Sequence, residues 1–474
     1  MTIKKLLYIM CIIVFVLSFA MPASANSAQQ YWYGADQAGV VITEGDCPIV
    51  VEHELLTFDL SNFPSQYYES EEEFAGYTGK VTAEYTFYNP SDMTVTATLA
   101  FPFGNMPGYG YDTDHNALTK YGVTVNGENV DTTLRHTLSN GDSFNLETDL
   151  PLLADGYIDH NFYNPDLTVT KYVFSVSNID PEAKMPVHVA LDLKQNEDGR
   201  VYYFPNQNSG HKQEDGDYRI GSFVYGSSRM VVLYVFGEPL TAMPDWKLYR
   251  DGKAKDSEEI SGKIILNETA TMRFEDFALA NYDTECGVSK IDWYNAVVTE
   301  MTGSGKIKSY PLVYLTGYQR DYSTNLMRWY QYEITLAPGE RIINKVTAPI
   351  YPSIDEGYVP TVYEYTYLIS PASSWSDFGS LDIVINTPYY LIDSSIEGFG
   401  KTENGYKLSL DGLPEGELIF SLSTEEDPIL KSRTPQGILK DIIYFLMFFG
   451  LPLLIGTTVI IIIVIILRKL FKRR

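Results

Sequence analysis

Polar and apolar positions alternate with a period of two along much of the chain. Over 80–87 the apolar set is Val81, Ala83, Tyr85 and Phe87, set against Lys80, Thr82, Glu84 and Thr86. Such a strand buries one face and wets the other, as antiparallel sheets do. Asn89-Pro90-Ser91-Asp92 supplies a turn, and Val95, Ala97, Leu99 and Phe101 then alternate with Thr94, Thr96, Thr98 and Ala100. The two runs predict a hairpin. Further strands are expected over 121–125, turning at Asn126-Gly127, and over 169–177 and 187–193. Asn196-Glu197-Asp198-Gly199 is read as turning the last of these into 200–204. Residues 222–236 and a hairpin over 246–278 complete the set. Beyond these, 327–336, 362–369, 381–385, 406–410 and 418–422 read as strands.

One segment breaks the period. Ser289 with Asp292 three residues on is a helix-capping signal, and Ile291, Tyr294, Val297, Val298 and Met301 then share a helical face ended by Gly303. The pattern as a whole predicts a mainly β protein. Two antiparallel β-sandwich-like extracellular domains are expected, over 26–278 and over 279–426, the second holding the short helix.

The two ends follow different rules. Lys4 and Lys5 precede an apolar run over 6–20, and Ala23-Ser24-Ala25 gives a small-residue cleavage pattern, so 1–25 reads as a signal peptide. Residues 442–467 form an uncharged apolar run, IIYFLMFFGLPLLIGTTVIIIIVIIL. At about 1.5 Å per residue a helix of that length exceeds a hydrocarbon core of roughly 30 Å, so a C-terminal transmembrane helix is expected. Arg468, Lys469, Lys472, Arg473 and Arg474 mark a cytoplasmic tail, 468–474. The implied topology is a single-pass cell-membrane protein with its N-terminus and ectodomain outside, joined to the membrane by a linker over 427–441. A sortase signal is not matched by Leu413-Pro414-Glu415-Gly416 or by Thr434-Pro435-Gln436-Gly437.

Composition sharpens the picture of the ectodomain. All 61 Asp and Glu lie between the two basic ends, in a chain of net charge −26. That balance excludes nucleic acid as a partner, because phosphate binding needs basic patches. Thirty-seven tyrosines favour strands over a disordered stalk. Cys47 and Cys286 remain after cleavage, and an extracellular pair offers one disulfide across a long loop.

Motifs for chemistry are sparse. Gly303-Ser304-Gly305-Lys306 lacks the flanking residues of a phosphate loop, having Glu300 and Ile307 where Gly and Ser or Thr belong. Asp112-Thr113-Asp114-His115-Asn116 groups oxygen ligands with an imidazole. An EF-hand loop would need Gly at Ala117 and Glu at Val123, so the ordinary reading is a solvated loop. Calcium held by Asp112, Asp114 and His115 is the alternative. No zinc motif or nucleophile elbow occurs, and no catalytic residue is singled out. The aromatic groups Tyr31-Trp32-Tyr33, Trp329-Tyr330 with Tyr332, and Tyr389-Tyr390 fit either core packing or a sugar-stacking surface.

Two stretches carry a resemblance. Val81-x-Ala83-x-Tyr85-x-Phe87-x-Asn89 followed by Ala100-Phe101-Pro102-Phe103-Gly104 resembles a family of uncharacterised secreted or membrane-anchored bacterial β-domain proteins, with a fainter likeness to vault/inter-alpha-trypsin domains. Tyr365-x-Tyr367-x-Ile369-Ser370-Pro371-Ala372-x-x-Trp375-x-x-Phe378-Gly379 is similar to the C-terminal half of the same group. The resemblance implies structural motifs and no activity. The expectation is therefore a non-catalytic binding, adhesion or envelope-structural ectodomain, facing a cell-envelope polymer or a surface protein. An extracellular carbohydrate-active module or hydrolase is the alternative.

Overall fold

The computed structural model describes residues 31–32, 37–42, 47–65, 79–104, 121–138, 146–183, 186–193, 199–205, 209–212, 218–225, 229–250, 258–302, 307–308, 326–435 and 463. The expected signal peptide and, Ile463 apart, the expected membrane helix lie outside them. Among the described residues no helix is long and apolar enough to cross a membrane. The fold is mainly β, with several sheets around three principal apolar cores.

Alternation sets the local structure as expected. The strand Gly79–Tyr88 buries every second residue, Val81, Ala83, Tyr85 and Phe87 among them. Asn126 and Gly127 both take positive φ, 51° and 85°, which suits the tight turn joining Gly122–Val125 to Glu128–Asn129.

The hairpin expected around Asn89 does not form. Gly79–Tyr88 pairs with Val50–Asp59 and Arg341–Ile350, whereas Val95–Pro102 pairs with Val41–Ile42 and Met327–Leu336 in another sheet. The chain crosses from one sheet to another at this corner, and both runs turn their apolar sides into one core. Asn89 fixes the corner from a fully buried position. Its Nδ2 donates to the carbonyls of Met93, Leu336 and Ala337, and its Oδ1 accepts from the Ser91 amide. The return crossing between Met327–Leu336 and Arg341–Ile350 runs alongside, with Gly339 N–H donating to the Asn89 carbonyl.

The first core draws on two stretches far apart in the chain. An eight-stranded sheet contributes Phe58, Tyr85, Phe87 and Ile383. Two further sheets contribute Leu99, Phe101, Tyr332, Tyr367 and Phe420. Phe58 meets Tyr367 and Phe420 edge-on, with ring centroids 5.8 and 5.1 Å apart. Each such buried side chain contributes roughly 1.5–3 kcal/mol. Val50–Asp59 lies parallel to Phe378–Asn386, a pairing that spans the division expected at residue 278. Packing instead nests the chain. Residues 40–134 and 330–422 supply the first core, and the segment between them carries the second and third.

In that intervening segment the middle strands of a five-stranded sheet are buried on both faces, while its edge strand Lys263–Arg273 is largely exposed. On Val201–Tyr203 and the residue after it, Val201 and Tyr203 face the second core while Tyr202 and Phe204 face the third. A strand covered on both sides is a continuous apolar run, so the period-two signal weakens there. The expected return of 187–193 into 200–204 is absent. Val187–Leu193 belongs to a separate four-stranded sheet.

The helix Lys290–Thr302 covers the other face. Its Asp292 N–H donates to Ser289 Oγ at 3.0 Å, as the capping signal anticipates. Tyr294, Val297, Val298 and Met301 are buried as expected, but so are Asp292, Asn295 and Thr299 on the opposite side. Finally, Ile429–Leu430 pairs with Tyr358–Val359, so the start of the expected linker is tied to the folded body.

Candidate functional site

The four-stranded sheet holding Val95–Pro102 has two unlike faces. Its inner face gives Ala97, Leu99 and Phe101 to the first core. Its outer face is apolar at one end, where Val41, Ala100, Met327 and Trp329 lie under Leu150 and Leu153. Toward the other end the threonines of the alternating run come up on the outer face. Thr96 faces Thr335 with hydroxyl oxygens 2.9 Å apart, Thr98 faces Glu333, and Gln331 faces Thr133.

Where the covering segment stops, an open cleft of about 520 Å³ remains. It is lined by Thr98, Val130, Asp131, Thr133, Asp155, Gln331, Tyr332 and Glu333. Three carboxylates therefore share this cleft with hydroxyl and amide groups, and among the described residues no cationic side chain lines it.

Arg135 sets the walls. Only 7 % of its side chain is exposed, and the Asp292 carboxylate beneath it is wholly buried. Its Nε donates to Asp292 Oδ1 at 3.0 Å, and its Nη1 donates to Gln331 Oε1 at 2.6 Å and to Asp155 Oδ1 at 3.2 Å. Nη2 donates to the Ala154 carbonyl at 2.7 Å. Asp292 Oδ2 also accepts from the His136 N–H. One guanidinium thus joins the helix Lys290–Thr302, the covering segment and the floor of the cleft, its donors committed to protein oxygens. Asn295 reinforces the same junction by accepting from Ile158 N–H and donating to the Gly156 carbonyl.

The residues singled out from sequence are distributed otherwise. Asp112, Asp114 and His115 lie outside the described residues. Among the described residues no group of three or more His, Cys, Asp or Glu is placed to hold a metal ion. No disulfide joins Cys47 to Cys286. Cys47 packs half-buried beside the first core and Cys286 belongs to the second. Burial pushes the Cys286 thiol up, which opposes thiolate formation. The unfolding midpoint is accordingly expected not to move on adding dithiothreitol, and a clear fall would show a disulfide.

The aromatic groups divide. Trp329 is buried with Nε1 donating to Thr137 Oγ1 at 2.8 Å, Tyr330 stacks on Phe103 at 4.6 Å, and Tyr332 donates to Asn344 Oδ1 at 2.8 Å. These are core residues. Tyr389 stacks on Phe63 at 3.7 Å, while Tyr390 is exposed with Lys401 Nζ 5.5 Å from its ring centroid. Tyr31 and Trp32 lie on a short strand paired with Ser353–Asp355.

Arg135, Asp155, Asp292 and Glu333 carried no sequence signal as a group. Arg135 and Asp292 are 157 positions apart; Arg135 stands in no motif, and Asp292 was legible only as part of the helix-capping signal. The alternating threonines of 94–98 were the one legible trace of a polar outer face.

No family model matches the sequence, and no curated protein matches it. Among solved structures, a candidate nutrient-binding protein of Legionella pneumophila is similar over 83 % of this chain and 72 % of its own, at 11 % identity and a TM-score of 0.34. A likeness at that level assigns neither fold nor function to this chain.

Proposed function

We propose that this is a single-pass cell-surface protein whose ectodomain binds a cationic group in the acidic cleft and performs no chemistry on it. The observation that carries the reading is the cleft itself: three carboxylates and several hydroxyl and amide groups on a floor held rigid by Arg135. Prearranged polar groups lower the ordering cost of binding. Each exposed ion pair contributes only about 0.2–1 kcal/mol, so affinity depends on several acting together. The ligand class that fits is a protonated amine bearing hydroxyls, as on an amino sugar of an envelope polymer or a basic surface of another protein. The uncharged run 442–467 and the basic residues after it support a membrane anchor with the cleft on the outer side.

The test is a binding screen of the detergent-solubilised chain against glycans, wall polymers and basic peptides, with a parallel series in calcium because Asp112, Asp114 and His115 would carry that ion. Amine-bearing ligands are expected to bind, and Asp131→Asn with Glu333→Gln to weaken them about tenfold, the effect of losing two surface pairs. Equal binding by wild type and the double variant would remove the cleft from the proposal. Release of the full chain from membranes by alkaline carbonate would remove the anchor.

A further inference from the structure

The first core contains a carboxyl that neither the cleft nor the corner uses. Glu54 lies on Val50–Asp59, where the pairing with Gly79–Tyr88 slips between Val51 and His53. That bulge changes the phase of the strand, so Glu54 points inward with Leu56 and Phe58 and is 2 % exposed. Opposite it in register stands Tyr85, whose hydroxyl hydrogen-bonds the carboxyl. Tyr367 brings a second hydroxyl from the facing sheet. Glu54 Oε1 has no hydrogen-bond partner among the described residues.

Over this cluster lies the segment 37–42. Gln37 and Ala38 run parallel to Tyr367 and Leu368, and Val41 and Ile42 pair with Ala100 and Leu99, so the segment straps two sheets together. Its middle is held by the cluster. Val40 N–H donates to the Tyr85 hydroxyl at 3.1 Å, and the Val40 carbonyl accepts from Trp375 Nε1 at 3.0 Å. Gly39 passes so close that a Cβ there would stand 3.2 Å from the Tyr85 oxygen and 3.6 Å from that of Tyr367. Ala38, Val40 and Val41 are wholly buried.

We infer that Glu54 is a protonation-dependent clasp beneath this strap: the neutral carboxyl keeps the segment 37–42 seated, and the ionised carboxylate loosens it. A neutral carboxyl fits among hydroxyls and apolar rings at little cost, whereas a charge there is stranded from water. Among the described residues no cation offsets it. Gly79–Tyr88 and Val362–Leu368 present only the tyrosines, and the strap has no ionisable side chain. Asp382 on the neighbouring strand pairs with Lys407 at 2.9 Å, and Glu84 pairs with Lys345 at 2.7 Å, all four partly solvent-exposed. Desolvation pushes the Glu54 carboxyl up to about 7, with the Tyr85 hydrogen bond pulling the other way. Because the folded value lies above the unfolded one, the stability linked to this proton is complete below about pH 4.5. It is lost as pH rises through 7. Lifting the strap is the shortest way to hydrate the charge.

Amide exchange on the full chain tests the clasp, with rates corrected for the intrinsic pH dependence of exchange. Protection of the Val40 and Val41 amides is expected to fall on the order of 100-fold between pH 5 and pH 8.5, and to be flat in Glu54→Gln. Protection independent of pH in the wild type, or an equal fall in Glu54→Gln, overturns the inference. If Glu54→Gln does not fold, the Glu54 carboxyl is followed by carbon NMR in the wild type. Titration together with the Val40 amide supports the clasp, and titration completed below pH 5 overturns it.

Discussion

Replacing Arg135 with alanine is expected to destabilise the protein by about 3–5 kcal/mol, the range found when one partner of a buried ion pair is removed. The loss comes less from the attraction than from what remains. The wholly buried Asp292 carboxylate is left with the His136 N–H as its hydrogen-bond donor among the described residues. Gln331 and the Ala154 carbonyl lose their donor at the same stroke. Chemical denaturation of the wild type and the variant measures the difference. The double variant Arg135→Met with Asp292→Leu is expected to recover most of the stability, because removing both charges also removes the desolvation cost. It should not recover ligand binding, since the walls of the cleft lose their common support. A single variant within about 1 kcal/mol of wild type would mean that the pair is hydrated in solution.

Gly405 should be the least replaceable glycine of the eight-stranded sheet. It begins Gly405–Leu410 with φ of +145°, a region that side chains rarely adopt. A Cβ there would stand 1.9 Å from the Ile385 carbonyl oxygen and 3.0 Å from the Thr387 nitrogen. Both are backbone atoms of the paired strand, so neither can rotate away. Gly405→Ala is therefore expected to cost at least about 3 kcal/mol, combining backbone strain with displacement of the ladder. The contrasting variant is Gly339→Ala. It too has positive φ, 69°, but meets nothing within 4 Å, so its cost should be about 1 kcal/mol. Equal effects at the two sites would show that the turn, not the close approach, governs Gly405.

Both effects turn on contacts between distant parts of the chain, and there the sequence is least informative. Many strands were legible because alternation is local, although Val50–Asp59 and Arg341–Ile350 of the eight-stranded sheet were not read. Val81, Ala83, Tyr85 and Phe87 face one way whatever they pair with, and Ser289 caps Asp292 within one turn. Asn126-Gly127 announced its turn because two consecutive positive φ values suit those residue types. Partner choice was not legible. The six-residue connection 89–94 is compatible with a hairpin or with a crossing between sheets. The crossing wins because Asn89 is satisfied by carbonyls some 247 positions away. Arg135, Asp292 and Glu54 likewise look like solvated charges until strands and a helix from elsewhere close over them.

The sequence by itself determined the mainly β character, the positions of many of the strands and of the helix Lys290–Thr302, the acidity, and the chemical contrast between the body and its two apolar ends. Each of these depends on neighbours within a few residues or on composition alone. Tertiary structure decided the nesting of one set of strands within another, the cleft beside Arg135, the separation of Cys47 from Cys286, and the burial of Glu54 under the strap. Those outcomes depend on which apolar faces meet, a choice made by the total area removed from water across the whole chain and invisible to any local pattern.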